Sequence, residues 1–407
     1  MVPPAGPAAV PPDAAARRRG FVFIVLAAAG VGFAMTVQSG VNSNFVVQEM
    51  GLTPMQQGLL EGTRETCGIV ALGVLALLAA MTEPLLGAAM LGLLGAGFTA
   101  YLWVPDFGWL IAASLLWSQG LHVWMPLPQS MALALAEPGG AGKRLGQISA
   151  AGAVGAAAGL GVAALLGFLA VPLRPMFAVA GGMALAAGAC CLGIPRHIKV
   201  PGRRLVFRRR YWLYYLLSFL EGWRKQIFIA FAGFLLVRKY GTPVTTMLVL
   251  WLAIQGLTWL LSPPLGRLID RVGERPVMVS MFAGLTLFFV GYALIEQPLV
   301  LYAIYVLDSV FFVGVMALTT YVNRLAPPEE HTATLSAGVA CNHVAACLMP
   351  LVGGILWNLW GHRTVFLAGA GVAALSIVPA LLLPAGAPGR EAPPLPGSLE
   401  LSPGKDL

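Results

Sequence analysis

The chain has few ionisable side chains, and several of them sit where a charge is expensive. Only 10% of the 407 residues are Asp, Glu, Lys or Arg. Yet Glu221, Arg224 and Lys225 share one apolar run, Glu61, Arg64 and Glu65 share another, and Asp308 lies in a third. A charge at the centre of a bilayer-crossing helix costs about 2.5–3.5 kcal/mol or more, so each needs a partner, water or a task. Spacings of three and four put each trio on one helical face. Two cations against one carboxylate leave the first trio a positive surplus, suited to an anionic substrate group. Arg224 offers the bidentate fork and Lys225 the more readily titrated amine. Eleven to fifteen residues past Arg210, the trio lies about 16–22 Å deep at 1.5 Å per residue. The second trio has a negative surplus: one carboxylate pairs with Arg64 while the other takes up and releases a proton, since two close carboxylates resist joint ionisation. Asp308 is either a proton carrier or a fixed counter-ion for Arg224 or Lys225. Gln119, His122, Asn342 and His343 are further candidate substrate contacts; for each the plain alternative is a satisfied polar group in a helix. Both trios have a plain alternative too, salt bridges that only hold helices together.

The elements that carry these groups follow from composition. Hydrophobic residues make up 58% of the chain, against about 45–50% for soluble domains, and charge is far below the usual quarter. A soluble enzyme and a disordered chain are both excluded. The apolar runs are continuous and about 20 residues long, which is helix length and not the alternating pattern of a barrel. Twelve runs are marked, at 21–47, 55–81, 84–104, 108–135, 147–170, 174–195, 211–237, 243–264, 276–295, 298–323, 332–358 and 364–384. Pro126 and Pro128 predict a kink in the fourth. The net charge of +8 reads as topology and not as a nucleic-acid surface, because the aromatic residues lie inside apolar runs. With both ends inside, the tails and even-numbered connections hold 18 of the 25 basic residues, from Arg17–Arg18–Arg19 to Lys405. That asymmetry places both termini in the cytoplasm of an inner-membrane protein. The cysteines, Cys67, Cys190, Cys191, Cys341 and Cys347, lie in apolar runs without C-x-x-C spacing. Neither a metal centre nor a disulfide framework is indicated.

A repeat is visible at an offset of 189 residues: Thr53-Pro54 corresponds to Thr242-Pro243, and Arg174, Phe177 and Pro195 to Arg363, Phe366 and Pro384. By the same offset Asp308 corresponds to Gln119. The expected fold is all-α and integral to the membrane, with twelve transmembrane helices in two pseudo-symmetric six-helix bundles, 20–195 and 211–386. A basic linker, 196–210, joins them, and disordered cytoplasmic tails occupy 1–19 and 387–407. Paired six-span halves related by an axis along the membrane normal are a transporter architecture.

Gly266-Arg267-Leu268-Ile269-Asp270-Arg271-Val272-Gly273-Glu274-Arg275 matches G-x-L-x-D-R-x-G-x-R at every fixed position. In this stretch, and in Pro350-Leu351-Val352-Gly353-Gly354 followed by Gly361-His362-Arg363, the chain resembles the major facilitator superfamily. The resemblance implies that spans one, four, seven and ten surround a central cavity, that three, six, nine and twelve are peripheral, and that the others lie between the halves. The charges agree, since the four peripheral spans carry none between their ends. Gly266, Asp270, Arg271, Gly273 and Arg275 then form a gating loop: glycines for a tight turn, and Asp270 to pair with arginines or cap a helix. The first half lacks its copy, with Leu77 and Leu78 at the Asp and Arg positions. Span four has Gln119-Gly120 but Leu116 where many family exporters have Arg. Span five has Gly152, Gly155, Gly159 and Gly161 but not the antiporter proline.

The expected function is alternating-access secondary transport of a small organic anion or zwitterion, with protons as a candidate coupling ion. The protein is expected to be a monomer in the lipid bilayer, with no cofactor, metal or nucleic-acid partner. No G-x-x-x-x-G-K loop offers ATP, and no H-E-x-x-H or G-x-S-x-G motif supports an enzyme. The alternatives are an exporter of amphipathic, drug-like compounds and a non-transporting sensor or assembly partner.

Overall fold

The computed structural model describes residues 14–385 apart from residue 79, residues 138–139, residue 197 and residues 199–206. The expected tails before residue 14 and after 386, and most of the basic linker, lie outside the described residues. Among the described residues all regular structure is helical. Among the described residues nine helices are long and apolar enough to cross a membrane as they stand, from Ala14–Glu49 to His362–Leu381. The chain is an integral membrane protein. Spans two, four and seven fall short of that measure for visible reasons. Span two, Pro54–Leu77, carries Glu61, Arg64 and Glu65. Span four breaks into Phe107–Trp124 and Leu127–Ala134, because Pro126 lacks the amide that would continue the ladder. Span seven carries the other trio in Trp212–Ile227 and then loosens into a π-helical turn at Phe228–Ala232. Span ten, Pro298–Leu325, tightens into a 3-10 turn at Phe312–Val315. The repeat offset carries the span-four break onto this turn, so both halves interrupt the same helix at the same level.

Two expectations need correction. The first helix begins at Ala14, not at residue 20. Ala14-Ala15-Ala16 favours helix, and Arg17–Arg19 can extend their charged ends to an interface from within it. Span eight runs through Val272, so Gly266, Asp270 and Arg271 are helical and not in a loop, and Asp270 caps no helix start. Only Gly273 makes the turn, at φ 84°, where a side chain would be strained.

Each half packs its own core. Phe45, Phe98, Tyr101 and Phe177 centre the first, and Phe231, Phe282, Phe289 and Phe366 the second. The repeat pair Phe177 and Phe366 are both fully buried. Span five, Ala141–Phe168, lies against span one at two glycines. A Cβ at Gly155 would stand 1.8 Å from the Ala29 carbonyl oxygen, and one at Gly159 2.4 Å from that of Phe33. Such close approach is the use of small residues at fourth positions in membrane helices.

The halves meet at the end of the bundle away from Arg17–Arg19. There Asn44 Nδ2 donates to the Thr242 carbonyl at 2.9 Å, and Arg238 Nη1 to that of Leu52 at 2.7 Å. Spans two and eleven touch backbone to backbone, with a Cβ at Gly58 falling 2.1 Å from the Pro350 oxygen. Span two starts from a capping box, Thr53 Oγ1 accepting from the Gln56 amide at 3.2 Å and Gln56 Oε1 accepting from the Thr53 amide at 3.0 Å. Toward the basic end the packing on span two thins, with Ile69, Val70, Leu72, Gly73, Ala76 and Leu77 all exposed.

Candidate functional site

Both trios point to the middle of the molecule, but their members separate. Arg224 is fully buried. Its Nη2 donates to Glu221 Oε1 at 3.2 Å and its Nη1 to Asp308 Oδ1 at 3.4 Å, and its guanidinium lies 5.2 Å over the Phe312 ring. Glu221 and Asp308 are buried with it, so two carboxylates from spans seven and ten enclose the fork. Arg224 Nε and Asp308 Oδ2 have no partner among the described residues. In this conformation the Arg224 fork is held by the protein, by Glu221 and Asp308.

Lys225, one residue on, turns the other way. It is only partly buried, and its Nζ donates to Asn342 Oδ1 at 3.0 Å. Asn342 is itself anchored, its Nδ2 donating to Glu221 Oε2 at 2.6 Å and to the Ser218 carbonyl at 3.2 Å. The close approach of spans seven and eleven at Gly222 makes this possible, since a Cβ there would lie 2.6 Å from the Asn342 carbonyl oxygen. One polar chain thus runs Asp308–Arg224–Glu221–Asn342–Lys225 across spans ten, seven and eleven. Adjacent helical residues point about 100° apart, which is why one cation is sealed and its neighbour is not.

On span two, Glu61 is buried and pairs with Arg64, whose guanidinium lies 5.0 Å over the Trp117 ring. Gln57 Nε2 reaches Glu61 Oε1 at 3.4 Å and crosses to the Ala230 carbonyl of span seven at 3.0 Å. Glu65 leaves this group and faces the other half, with Oε2 3.3 Å from His343 Nδ1. His122 completes the junction, its ring centroid 5.2 Å from that of His343. Its Nδ1 lies 2.8 Å from the Ser118 carbonyl oxygen. Glu65, His122 and His343 are all half-buried. Gln119 is half-buried too, and its Nε2 has no partner among the described residues. It stands apart from the Asp308 network despite being its repeat counterpart.

The segment Gly266–Arg275 occupies the end of span eight and the start of span nine. Asp270 and Arg271 are exposed, Gly266 and Arg275 half-exposed, and Gly273 is buried in the turn. The neighbouring Glu274, buried at the start of span nine, takes Arg324 from the end of span ten. Sequence reasoning passed over Gln57, Ser118 and Gln226. Gln57 had a legible signal, a polar residue one turn before Glu61 on the charged face. Gln226 is buried, with no partner for either polar atom among the described residues.

The family model described as Major Facilitator Superfamily matches residues 214–403. The matched stretch is just under half of the chain, most of it the second set of spans. Over about nine-tenths of its length the chain shares its fold with solved transporter structures. A variant of the nucleoside transporter NupG superposes with a TM-score of 0.75 at 14% identity, over 89% of this chain and 99% of that one. A bacterial homologue of the human lysosomal transporter Spinster, described as inward-facing and unoccupied, gives 0.71 at 13%, over 91% and 98%. In sequence, the multi-drug resistance efflux pump PmrA of Streptococcus pneumoniae is 32% identical over 111 residues. That match spans 26% of this chain and 27% of the relative.

Proposed function

We propose that the protein is a secondary transporter, a carrier and not a catalyst, that moves a small organic anion or zwitterion by alternating access. The observation that carries this reading is the placement of Lys225. It is a half-buried cation held by Asn342 at the junction of the halves, beside the polar Glu65–His343 contact, where packing thins toward the basic end. If the basic end is cytoplasmic, as the positive-inside rule requires, the structure is the inward-open member of the cycle. The two six-span halves, 20–195 and 211–386, are the bodies that rock, and the membrane is the inner one with both termini cytoplasmic. The efflux pump relative supports a second reading, export of amphipathic compounds.

Counterflow in proteoliposomes tests both readings with anionic, zwitterionic and cationic amphipathic solutes, with and without an imposed pH gradient. Saturable flux of an anion or zwitterion is expected. Flux of amphipathic cations alone would establish the second reading, and no flux of any kind would leave a sensor or assembly partner. A response to the pH gradient would identify protons as the coupling ion. In that case Asp308→Asn separates two roles. If Asp308 is the counter-ion of Arg224, as their 3.4 Å contact favours, the variant keeps pH-dependent flux; a proton carrier would lose it while retaining exchange.

We further propose that the Gly266–Arg275 segment latches the outward-open state, which accounts for its exposed Asp270 and Arg271 when the basic end is open. Asp270→Asn removes the charge and keeps the shape. It is expected to slow turnover several-fold while leaving the thermal stability of this state unchanged. Wild-type turnover in that variant would reduce the segment to a topological signal.

A further inference from the structure

Glu65, His122 and His343 come from spans two, four and eleven, and so from both halves. Their ligand-type atoms lie within 4.8 Å of one another. No spacing in the sequence announces this, because 57 and 221 residues separate successive members. We infer that the three side chains form a binding site for a divalent transition metal of the zinc class, bridging the two halves.

The geometry is close to that of a zinc site. Tetrahedral ligands at about 2.0–2.1 Å from the metal stand about 3.3 Å from each other. Glu65 Oε2 and His343 Nδ1 are already 3.3 Å apart. The His122 ring meets that of His343 edge-on, at 67° between planes, and all three ligand-type atoms lie within 4.8 Å of one another. One nitrogen of His122 is committed: Nδ1 lies 2.8 Å from the Ser118 carbonyl oxygen, with Ser118 Oγ at 3.2 Å. A carbonyl can only accept, so that contact places the proton on Nδ1 and leaves the Nε2 lone pair for a metal. Metal-bound histidines are oriented by this kind of outer partner. Three protein ligands leave the fourth tetrahedral position to water.

The surroundings select the metal. Arg64 and Lys225 lie within electrostatic reach of Glu65 and oppose any dication. An ion held by charge and oxygen alone, such as Mg2+ or Ca2+, gains little there. Zn2+, Co2+ or Ni2+ gains strong bonds to two imidazoles. Because the ligands come from both halves, occupancy and the relative position of the halves are thermodynamically linked.

The experiment is metal binding to the full chain in detergent, freed of any histidine tag, by calorimetry with Zn2+, by the visible spectrum with Co2+, and by thermal shift with both. None of these needs transport, so the outcome is independent of the proposed function. Saturable one-to-one Zn2+ binding and a four-coordinate Co2+ spectrum are expected, with no response to Mg2+. His122→Ala and His343→Gln should each weaken binding by more than the 10- to 100-fold typical of losing an outer partner, whereas His362→Ala should leave it unchanged. A Cβ at Gly68 would stand 2.4 Å from the His343 ring, so Gly68→Ala should weaken binding by displacing a ligand that is still present. Binding that survives both histidine substitutions, or no saturable binding by the folded wild-type chain, would overturn the proposal.

Discussion

Arg224→Ala is expected to be the most destabilising substitution in the charged centre, at about 3–5 kcal/mol. It leaves Glu221 and Asp308 buried with no cation between them, and breaking a buried pair from one side typically costs that much. Both carboxylates are buried and each accepts from Arg224. Thermal unfolding of the detergent-solubilised protein, followed by its intrinsic tryptophan fluorescence, measures the loss. Arg224→Lys keeps the charge but cannot span spans seven and ten with one planar fork, so it should recover only part of the stability. Removing all the charges together, as Glu221→Gln, Arg224→Leu and Asp308→Leu, should restore stability, because a buried ion cluster is often no more stable than an apolar replacement of similar volume. An Arg224→Ala protein of wild-type stability that fails to bind solute would return the fork to the substrate.

The second large effect is expected at the neighbouring residue and in the opposite observable. Lys225→Ala should cost only about 1 kcal/mol of stability, the usual net value of the one hydrogen bond it makes to Asn342. Solute affinity, by contrast, should fall roughly 10- to 100-fold. A charge-assisted hydrogen bond to a solute is worth about 1.5–3 kcal/mol, and each 1.4 kcal/mol is tenfold in Kd. Equilibrium binding of the best counterflow solute, with thermal unfolding of the same preparation, separates the two. Unchanged affinity would remove Lys225 from the site, and a collapse of stability would make it a structural cation like Arg224.

Much of the fold was legible in one dimension. The bilayer imposes helix length on every crossing, so apolar runs and Pro126 were enough to place the helices, nine of which among the described residues are long and apolar enough to cross a membrane, and the break in span four. The cost of charge in hydrocarbon likewise singled out Glu61, Arg64, Glu65, Glu221, Arg224, Lys225 and Asp308 as groups that need a reason. Boundaries were less legible, since helices run on past the apolar core. Span eight continues through Asp270 to the turn at Gly273, and Pro263 and Pro264 within it do not end it. Helical spacing also could not say which cation is sealed. Glu221, Arg224 and Lys225 share a broad face, and only the approach of span ten on one side and span eleven on the other sends Arg224 to Asp308 and Lys225 to Asn342. The grouping of Glu65 with His122 and His343 is tertiary as well. Their meeting depends on how spans two and eleven cross at Gly58, Gly68 and Gly354, where backbones without side chains come close enough for polar groups from the two halves to face each other.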